Sequence, residues 1–337
     1  MTTLVTGATS GLGKNAVTFL AARQQAVRGT GRNLRAGAAL RAQGVEFLPA
    51  DLATAREGEF DRLLDGVDNV WHCAALSSPW GRCDDFYAAN VVATTRLAHA
   101  AVRSGVRRFV HISTPSLYFD YRHRMGIPET FRPARYVNHY ANTKAQAEEA
   151  IRAIAAQHCA TTFVMLRPRG IFGPHDRVLI PRILRVLRER GGRLPLPRGG
   201  DARLDLTYVD NVVHAMQLAT MRENLPSGEA FNITNGEPAI LRDILEAMLR
   251  PLRIPFRFVG LPYAFLDAAA RVMQSGAALT GREPAFTRYS IGALQYDMTL
   301  DIEEARRVLG YRPIVSLADG IDSTVQWIKA HGDDYGL

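Results

Sequence analysis

Tyr140 and Lys144 are the two residues whose types and spacing most clearly indicate chemistry. Apolar residues follow Tyr140 at helical spacing, and positions i and i+4 of a helix point the same way. An ammonium near a phenol favours the phenolate, so the tyrosine pKa falls and the phenol can exchange a proton with an alcohol or ketone near neutral pH. With eleven tyrosines and three lysines in the chain, a chance pair at this spacing is expected only ~0.1 times. The pair therefore predicts acid–base catalysis.

A second group of candidate residues carries hydroxyls at the end of a predicted strand, Arg108 to Ser113. A hydroxyl at this position can polarise a substrate carbonyl while Tyr140 exchanges the proton. The hydroxyls near enough to take this role are those of Ser113, Thr114 and Ser116.

The elements that must position these residues start at the amino terminus, where a short apolar strand, a glycine-rich turn and the start of a helix succeed one another. This arrangement is typical of a turn that holds a dinucleotide pyrophosphate, because glycines allow a sharp turn and close approach to phosphate oxygens. The helix amino terminus adds unpaired N–H groups for an anion. The residues predicted to bind there are Gly7, Thr9, Ser10, Gly11, Leu12 and Gly13.

The end of the second predicted strand, Ala26 to Thr30, indicates which dinucleotide binds. An enzyme that prefers NAD carries an acidic residue there for the ribose 2′-hydroxyl, whereas this chain has none before Glu46. Arg32 occupies the region instead, and a guanidinium can hold a 2′-phosphate in fork geometry. We predict that NADP(H) is preferred and that NAD(H) is possible.

Two further strand ends complete the predicted cofactor site. A third strand, Val45 to Leu48, is followed by Asp51 and Leu52, and a fourth runs from Asn69 to His72. Small residues at the carboxyl end of a parallel strand let the chain approach a bound nucleotide. The residues after the fourth strand that meet this condition are Cys73, Ala74 and Ala75.

Strands and helices alternate through the first half of the chain, with a helical stripe between Asp84 and Arg103. This order predicts an α/β fold, a Rossmann doubly wound parallel sheet with a smaller C-terminal substrate-binding α/β region. We expect residues 1–170 to form the dinucleotide-binding core, with 205–235 returning to it. Residues 171–204 and 236–330 are then the substrate-binding region.

The motifs together resemble the short-chain dehydrogenase/reductase superfamily, and the length fits its extended branch. They are the glycine-rich start, Cys73-Ala74-Ala75, the strand-end hydroxyl and Tyr140-x-x-x-Lys144. Segments 205–212 and 231–238 resemble its 3β-hydroxysteroid dehydrogenase-like group, which includes sterol dehydrogenases and bacterial 2-alkyl-3-oxoalkanoate reductases; the chain also resembles NAD-dependent epimerases.

The resemblance implies roles for individual residues. Thr114 takes the place of the strand-end hydroxyl, Tyr140 that of the acid/base and Lys144 that of its partner, and Tyr140 and Lys144 also contact the cofactor. Segment 166–174 resembles the strand beside the nicotinamide, which adds Pro168, Gly170 and Ile171 to the cofactor site. The resemblance further implies a homodimer that associates through the helices at 84–103 and 139–158.

Three functions agree with these patterns. The favoured one is an NADP(H)-dependent oxidoreductase that interconverts a ketone and a secondary alcohol on an apolar, sterol-like or β-keto acyl substrate. An NDP-sugar 4-epimerase or reductase of the same superfamily is the alternative, supported by Arg203, and a dinucleotide-sensing protein is the third. Residues 251–286 are the expected substrate cover, in which Asp267 and Arg271 can face water.

Composition restricts the partners and the compartment. The net charge of +8 comes almost wholly from arginines spread along the chain, so we expect a small-molecule substrate and no nucleic acid. The basic stretch Arg177 to Arg193 is either a solvated helix face or a site for anionic groups. No apolar run reaches the ~20 residues of a membrane span. Three cysteines without CxxC spacing predict a reduced, cytoplasmic compartment and no metal site, with Cys73 and Cys159 as buried small hydrophobes.

Overall fold

A parallel sheet forms the centre of the computed structural model, which describes residues 1–280 and 283–332, with backbone only for 278–280. The strands in the described ranges are β1 (Thr2–Thr6), β2 (Ala26–Gly31), β3 (Glu46–Pro49), β4 (Asn69–His72), β5 (Arg108–Ile112), β6 (Arg124–Ile127), β7 (Thr162–Pro168), β8 (Ile171–Phe172), β9 (Arg193–Pro197), β10 (Arg203–Leu204), β11 (Thr207–Tyr208), β12 (Glu229–Ile233), β13 (Ala239–Ile240), β14 (Arg257–Leu261) and β15 (Met298–Leu300). The α-helices in the same ranges are α1 (Gly11–Ala22), α2 (Leu34–Ala42), α3 (Glu57–Leu64), α4 (Cys83–Phe86), α5 (Ala93–Arg103), α6 (His139–Ala155), α7 (Leu179–Glu189), α8 (Val209–Met221), α9 (Leu241–Leu249), α10 (Tyr263–Thr280), α11 (Arg288–Gln295) and α12 (Leu317–Ala330).

The central sheet has seven strands in the order β12-β7-β5-β4-β1-β2-β3, and every pair in it is parallel. The chain builds outwards in one direction from β1 to β3 and in the other from β4 to β12. The direction reverses between β1 and β4, and ligands of such sheets bind in the crevice at the carboxyl ends of the strands beside this point. The predicted Rossmann fold is confirmed.

Both faces of this sheet are covered because successive strand residues point to opposite sides and both are apolar. Leu4, Val70 and Phe109 pack with α3, α5 and α6 on one face. The neighbouring residues Val5, Trp71 and Val110 pack with α1 and α8 on the other. The strands therefore read as continuous apolar runs in the sequence.

The helical stripe predicted between Asp84 and Arg103 contains an interruption. Helices α4 and α5 are joined by a π-helical segment, Tyr87–Val92, whose extra residue rotates the buried face. Thr94 and Leu97 are consequently buried, whereas Thr95, which an unbroken stripe would bury, is only half-buried. A π-turn inside an α-helix often marks a functional site.

The rest of the chain packs against the carboxyl edge of the sheet. A four-stranded sheet, β13-β10-β15-β6, and the pairs β11-β8 and β14-β9 surround an apolar cluster that includes Leu184, Leu196 and Leu245. The division of the chain into a cofactor and a substrate region stays a prediction. No helix in the described ranges has both the length and the apolar character that crossing a membrane requires.

Two side-chain placements correct the sequence interpretation. Asp267 is buried rather than facing water, and its carboxylate binds Arg271 at 2.9 Å and Arg288 at 2.8 Å. Cys159 is exposed in the loop after α6. Its place in that loop, rather than its residue type, decides its exposure.

A buried ion pair ties α6 to β7. Arg167 and Glu148, with 0% and 2% of their side chains exposed, are 2.5 Å apart at Nη2 and Oε2, and Arg167 Nε donates to Glu148 Oε1 at 2.7 Å. Burial alone would raise the pKa of Glu148, but the hydrogen bonds and charge of Arg167, with help from Ser113 and Arg152, lower it to about 2.

We expect Glu148→Gln to destabilise the protein by about 3–5 kcal/mol, because it leaves the Arg167 guanidinium buried without its counter-charge. Urea unfolding at pH 7 measures the difference, and Glu149→Gln, on the exposed neighbour, is the matched control. The difference should shrink as pH falls from the ~4.3 of an unfolded glutamate to the native pKa of about 2, since over this range the unfolded chain binds more protons than the native ion pair. Equal unfolding midpoints for the two variants would contradict the assignment.

Candidate active site

A chain of hydroxyls begins immediately after β5. Thr114 caps the 3₁₀ turn Pro115–Tyr118, with its Oγ1 accepting from the Ser116 amide at 3.1 Å and donating to Ser116 Oγ at 3.0 Å. Ser116 Oγ is 2.7 Å from the hydroxyl of Tyr289 on α11. The three hydroxyls form one continuous donor–acceptor array at the carboxyl edge of the sheet.

The Ser113 hydroxyl forms its hydrogen bond outside this array. Its Oγ donates to Glu148 Oε1 at 2.6 Å and so belongs to the buried ion pair behind the site. This contact distinguishes the three candidate hydroxyls by geometry, since Thr114 and Ser116 form hydrogen bonds within the array itself.

Tyr140 stands in the first turn of α6, where Asn138 caps the helix by accepting from the Ala141 amide at 2.8 Å. Burial raises the pKa of the Tyr140 phenol, and hydrogen bonds to Ser77 and Thr114 oppose the rise only in part. The expected lowering of this pKa by Lys144 is wrong for this structure. Burial of the phenol outweighs the interactions that favour the phenolate.

Lys144 Nζ donates to the Ile112 carbonyl at 2.7 Å and lies 2.8 Å from His111 Nε2. Burial lowers the pKa of Lys144 to about 7, against the attraction of Glu148 and Cys73. Burial also holds the pKa of His111 well below its ordinary value, with the charge of Lys144 adding to the effect. The amine is therefore poised close to neutrality beneath the tyrosine.

A row of polar side chains crosses the sheet below Lys144, because Thr6, His72 and His111 occupy one register position on β1, β4 and β5. His72 binds Thr6 Oγ1 at 2.8 Å through Nδ1 and Thr94 Oγ1 at 2.9 Å through Nε2. Its ring centroid is 5.2 Å from that of His111. His72 therefore packs between the strands and forms hydrogen bonds through both ring nitrogens.

The glycine-rich turn is built for close approach. A Cβ on Gly13 would lie 2.3 Å from the Gly7 carbonyl oxygen, and one on Gly7 would lie 3.1 Å from the Ala74 amide nitrogen. Gly11 has φ +52° and nothing within 4 Å of its Cβ position, so open space lies in front of the first amides of α1. Ser10, the N-cap, makes no side-chain capping bond. The turn fits a dinucleotide diphosphate.

A cleft of about 410 Å³ joins this turn to the hydroxyl array. Most of the predicted cofactor-site residues line it, together with both Thr114 and Tyr140. Those residues are Ser10, Gly11, Leu12, Cys73, Ala75, Pro168, Gly170 and Ile171.

The other predicted site residues lie around this cleft. Thr9 packs over Gly31, Leu52 is buried after β3, and Lys144 lies behind Tyr140 in the interior. Arg32 is 76% exposed and has Nη1 3.8 Å from Asp51 Oδ2. The Arg32 guanidinium is thus held only loosely by the chain.

Sequence reasoning missed Asn90, Tyr289 and Arg169. Asn90 lies in the π-turn, where its amide accepts from the Leu76 N–H at 2.8 Å and donates to Thr143 Oγ1 at 3.1 Å. A buried amide within an apolar helical stripe was the available signal. Tyr289 and Arg169 meet the site only through tertiary packing.

The sequence also matches a known protein family. Residues 3–234 match the model of the NAD dependent epimerase/dehydratase family. The chain belongs to this family.

Curated members of the family extend over almost the whole chain. The Escherichia coli (strain K12) protein YbjS is 46% identical over 334 residues, covering 98% of this chain and 99% of its own. A 4-hydroxy-2-methyl-3-oxo-4-farnesyl-3,4-dihydroquinoline-1-oxide ketoreductase of Stigmatella aurantiaca is 32% identical, covering 97% and 96%. A 2-alkyl-3-oxoalkanoate reductase of Stenotrophomonas maltophilia (strain K279a) is 32% identical, covering 84% and 86%.

Solved structures share the fold. The UDP-glucuronic acid 4-epimerase of Bacillus cereus, in complex with UDP-glucuronic acid and NAD, superposes with a TM-score of 0.77 over 98% of this chain and 100% of its own, at 22% identity. The chain is therefore an extended short-chain dehydrogenase/reductase, an NAD(P)-dependent enzyme of the family that acts on CH–OH groups.

The buried amine of Lys144 should make stability depend on pH. Its native pKa of about 7 lies below the ~10.4 of an unfolded lysine, so between these values the unfolded chain binds more protons. The free energy of unfolding of the wild type should rise with pH relative to Lys144→Met, by up to about 1.4 kcal/mol per pH unit.

Urea unfolding at several pH values between 7.5 and 10 measures this difference. Lys329→Met, on the exposed face of α12, is the control and should parallel the wild type. If Lys144→Met also parallels the wild type, the amine is not held in a neutral-favouring environment.

Proposed function

We propose that the enzyme interconverts a ketone and a secondary alcohol on an apolar substrate, sterol-like or β-keto acyl, with NADP(H) as the preferred cofactor. The observation that carries the proposal is the convergence of the Tyr140 phenol and the Thr114 hydroxyl in a cleft that continues into the glycine-rich turn. When bound, the nicotinamide would accept or supply the hydride. Every other requirement of the reaction falls to the chain.

Tyr140 exchanges the proton at the substrate oxygen. In the direction of reduction, the phenol donates its proton as the carbonyl carbon receives the hydride; in oxidation it takes the alcohol proton back. A phenol whose pKa is raised by burial holds its proton at neutral pH, which suits the donor role in reduction. Lys144, one helical turn further along α6, remains the proposed partner of Tyr140, and its amine is held by His111 and the Ile112 carbonyl.

Thr114 holds the substrate oxygen. Its hydroxyl lies 3.0 Å from Ser116 Oγ. It can donate to the developing oxyanion once it accepts a hydrogen bond from Ser116 instead, and Ser116 Oγ is in turn 2.7 Å from the Tyr289 hydroxyl. Preorganised donors of this kind stabilise charge where it appears in the transition state. Phe172, Leu179 and Val209 line the same cleft and favour an apolar body for the substrate.

The relatives support this class of substrate. Their printed names describe a ketoreductase and a reductase of 2-alkyl-3-oxoalkanoates, whereas the likeness to the nucleotide-sugar epimerase, at 22% identity, concerns the fold. Arg203, the residue that favoured the epimerase alternative, is absent from the described lining of the cleft. A homodimer through α4, α5 and α6 stays a prediction.

We expect Tyr140→Phe to lose about 10²- to 10⁴-fold of the turnover rate, the usual contribution of a positioned acid–base group. Single-turnover measurements of nicotinamide absorbance avoid interference from product release. Tyr136→Phe removes a half-buried phenol on the same segment and should keep nearly full activity. Retention of more than a few per cent of the wild-type rate by Tyr140→Phe would rule out the acid–base role.

The cofactor preference is tested at Arg32. Arg32→Asp should weaken NADPH binding by about 10- to 100-fold, because a charge-assisted fork to the 2′-phosphate is lost, and should spare or improve NADH binding. Titration of nucleotide fluorescence gives both dissociation constants, and Arg35→Asp, an exposed neighbour on α2, should leave their ratio unchanged. Equal losses for the two cofactors in Arg32→Asp would remove the argument for NADP(H).

A further inference from the structure

Arg169 follows directly after β7, where the backbone is held from two sides. Its amide donates to the Ile233 carbonyl at 3.1 Å, and its carbonyl accepts from Thr207 Oγ1 at 2.6 Å. The side chain lines the reaction cleft together with Thr114, Tyr140 and Tyr289. A fixed backbone and a cleft-lining side chain place this guanidinium among the groups that meet the substrate.

The side chain of Arg169 is half-buried, and the chain supplies no counter-charge to it. Its Nε is enclosed and has no hydrogen-bond partner, and no carboxylate in the described ranges lies within ion-pair distance of it. Asp205 is near enough to attract it, but Asp205 Oδ2 instead accepts from the Leu300 amide at 2.7 Å. Burial lowers the pKa of Arg169, although an arginine keeps its charge in a protein.

Arg167, two residues earlier, shows what the same side chain does when it serves the fold. Its guanidinium forms a fork with Glu148 and also donates to Tyr118 and to the Glu129 carbonyl. Buried charges are normally paired in this way. An arginine that lines a reaction cleft without such a partner is free to receive an anion from outside the chain.

The surrounding charges reinforce the attraction. Arg177 and Arg182 line the same cleft near the start of α7. Asp176, the residue before Arg177, has its oxygens turned to the Val178 and Ile180 amides at 2.8 Å each. Arg182 binds Glu283 at 3.0 Å, whereas Arg177 is exposed and has no carboxylate within ion-pair distance in the described ranges, so it adds positive charge to the cleft.

We propose that Arg169 binds a carboxylate of the substrate, on the carbon adjacent to the reacting ketone or alcohol, so that the enzyme acts on free β-keto or β-hydroxy acids. This inference rests on the proposed function, since Thr114 and Tyr140 must hold the oxygen of the neighbouring carbon. A planar guanidinium matches a carboxylate through two parallel N–H donors. In a β-keto acid the carboxylate carbon is two bonds from the carbonyl carbon, and both groups fit within one cleft.

The test compares 3-hydroxydecanoate with its methyl ester as substrates for oxidation by the wild type, Arg169→Gln and Arg169→Lys, with NADP⁺ and with NAD⁺. Arg185→Gln, which removes an exposed arginine on the outer face of α7, is the matched control. The wild type should prefer the acid by about tenfold or more in kcat/KM. Arg169→Gln should lose about 50-fold on the acid and little on the ester, since only the acid makes the ion pair.

Arg169→Lys should recover part of the activity on the acid, and Arg185→Gln should match the wild type on both compounds. Thermal melting of each variant verifies that it folds. If acid and ester are oxidised equally by the wild type, or fall by the same factor in Arg169→Gln, the inference fails although the proposed oxidoreductase function stands.

A binding measurement covers the remaining case, in which neither compound is oxidised and the proposed function itself is in error for this substrate class. Calorimetric titration of 3-hydroxydecanoate into the cofactor-loaded wild type and Arg169→Gln then decides. Binding to the wild type that is lost in the variant supports the anion site. Equal binding to both proteins, or none to the wild type, overturns it.

Discussion

The buried ion pair between Arg167 and Glu148 holds together the elements that carry the site. Glu148 belongs to α6, which presents Tyr140 and Lys144, and it also accepts the Ser113 hydroxyl at the end of β5. Arg167 belongs to β7, whose end leads into Pro168 and the cleft. Each charge is costly to bury alone, so the pair forces α6, β5 and β7 into one arrangement. The relative position of phenol, hydroxyl and cofactor loop depends on that arrangement.

The buried ion pair also explains why neighbouring hydroxyls have different hydrogen-bond partners. Ser113 and Thr114 are adjacent, and residue type gives no reason to prefer one. Because strand side chains alternate in direction, one of the two faces the ion pair and the other faces the cleft. The structure gives Ser113 to Glu148 and Thr114 to Ser116 and Tyr140. The hydrogen bond that the buried ion pair requires from Ser113 thus leaves Thr114 as the hydroxyl that faces the cleft.

The sequence predicts the local features of this protein well and the tertiary ones poorly. The Rossmann sheet, β4 at Asn69–His72 and the convergence of Gly11, Thr114 and Tyr140 on one cleft follow from motifs that act within a few residues or from the parallel topology. The pKa of Tyr140 was predicted in the wrong direction because helical spacing does not reveal that the phenol is buried. The π-turn around Asn90 was invisible for a similar reason, since only packing against Leu76 and Thr143 shows its purpose.

Arg167 and Arg169, on either side of Pro168, differ in their ion-pair partners, and this difference separates a structural role from a functional one. Arg167 is fully buried and Arg169 is half-buried, and composition and local pattern do not distinguish them. For Arg167 the fold supplies every partner, so its charge stabilises the native state only while Glu148 remains. For Arg169 the fold supplies none within ion-pair distance in the part of the chain described, and its charge is a standing cost to folding that an anionic ligand would relieve. Binding of an anionic ligand would offset this free-energy cost. The arginine without an ion-pair partner, rather than the paired one, therefore marks the substrate side of the cleft.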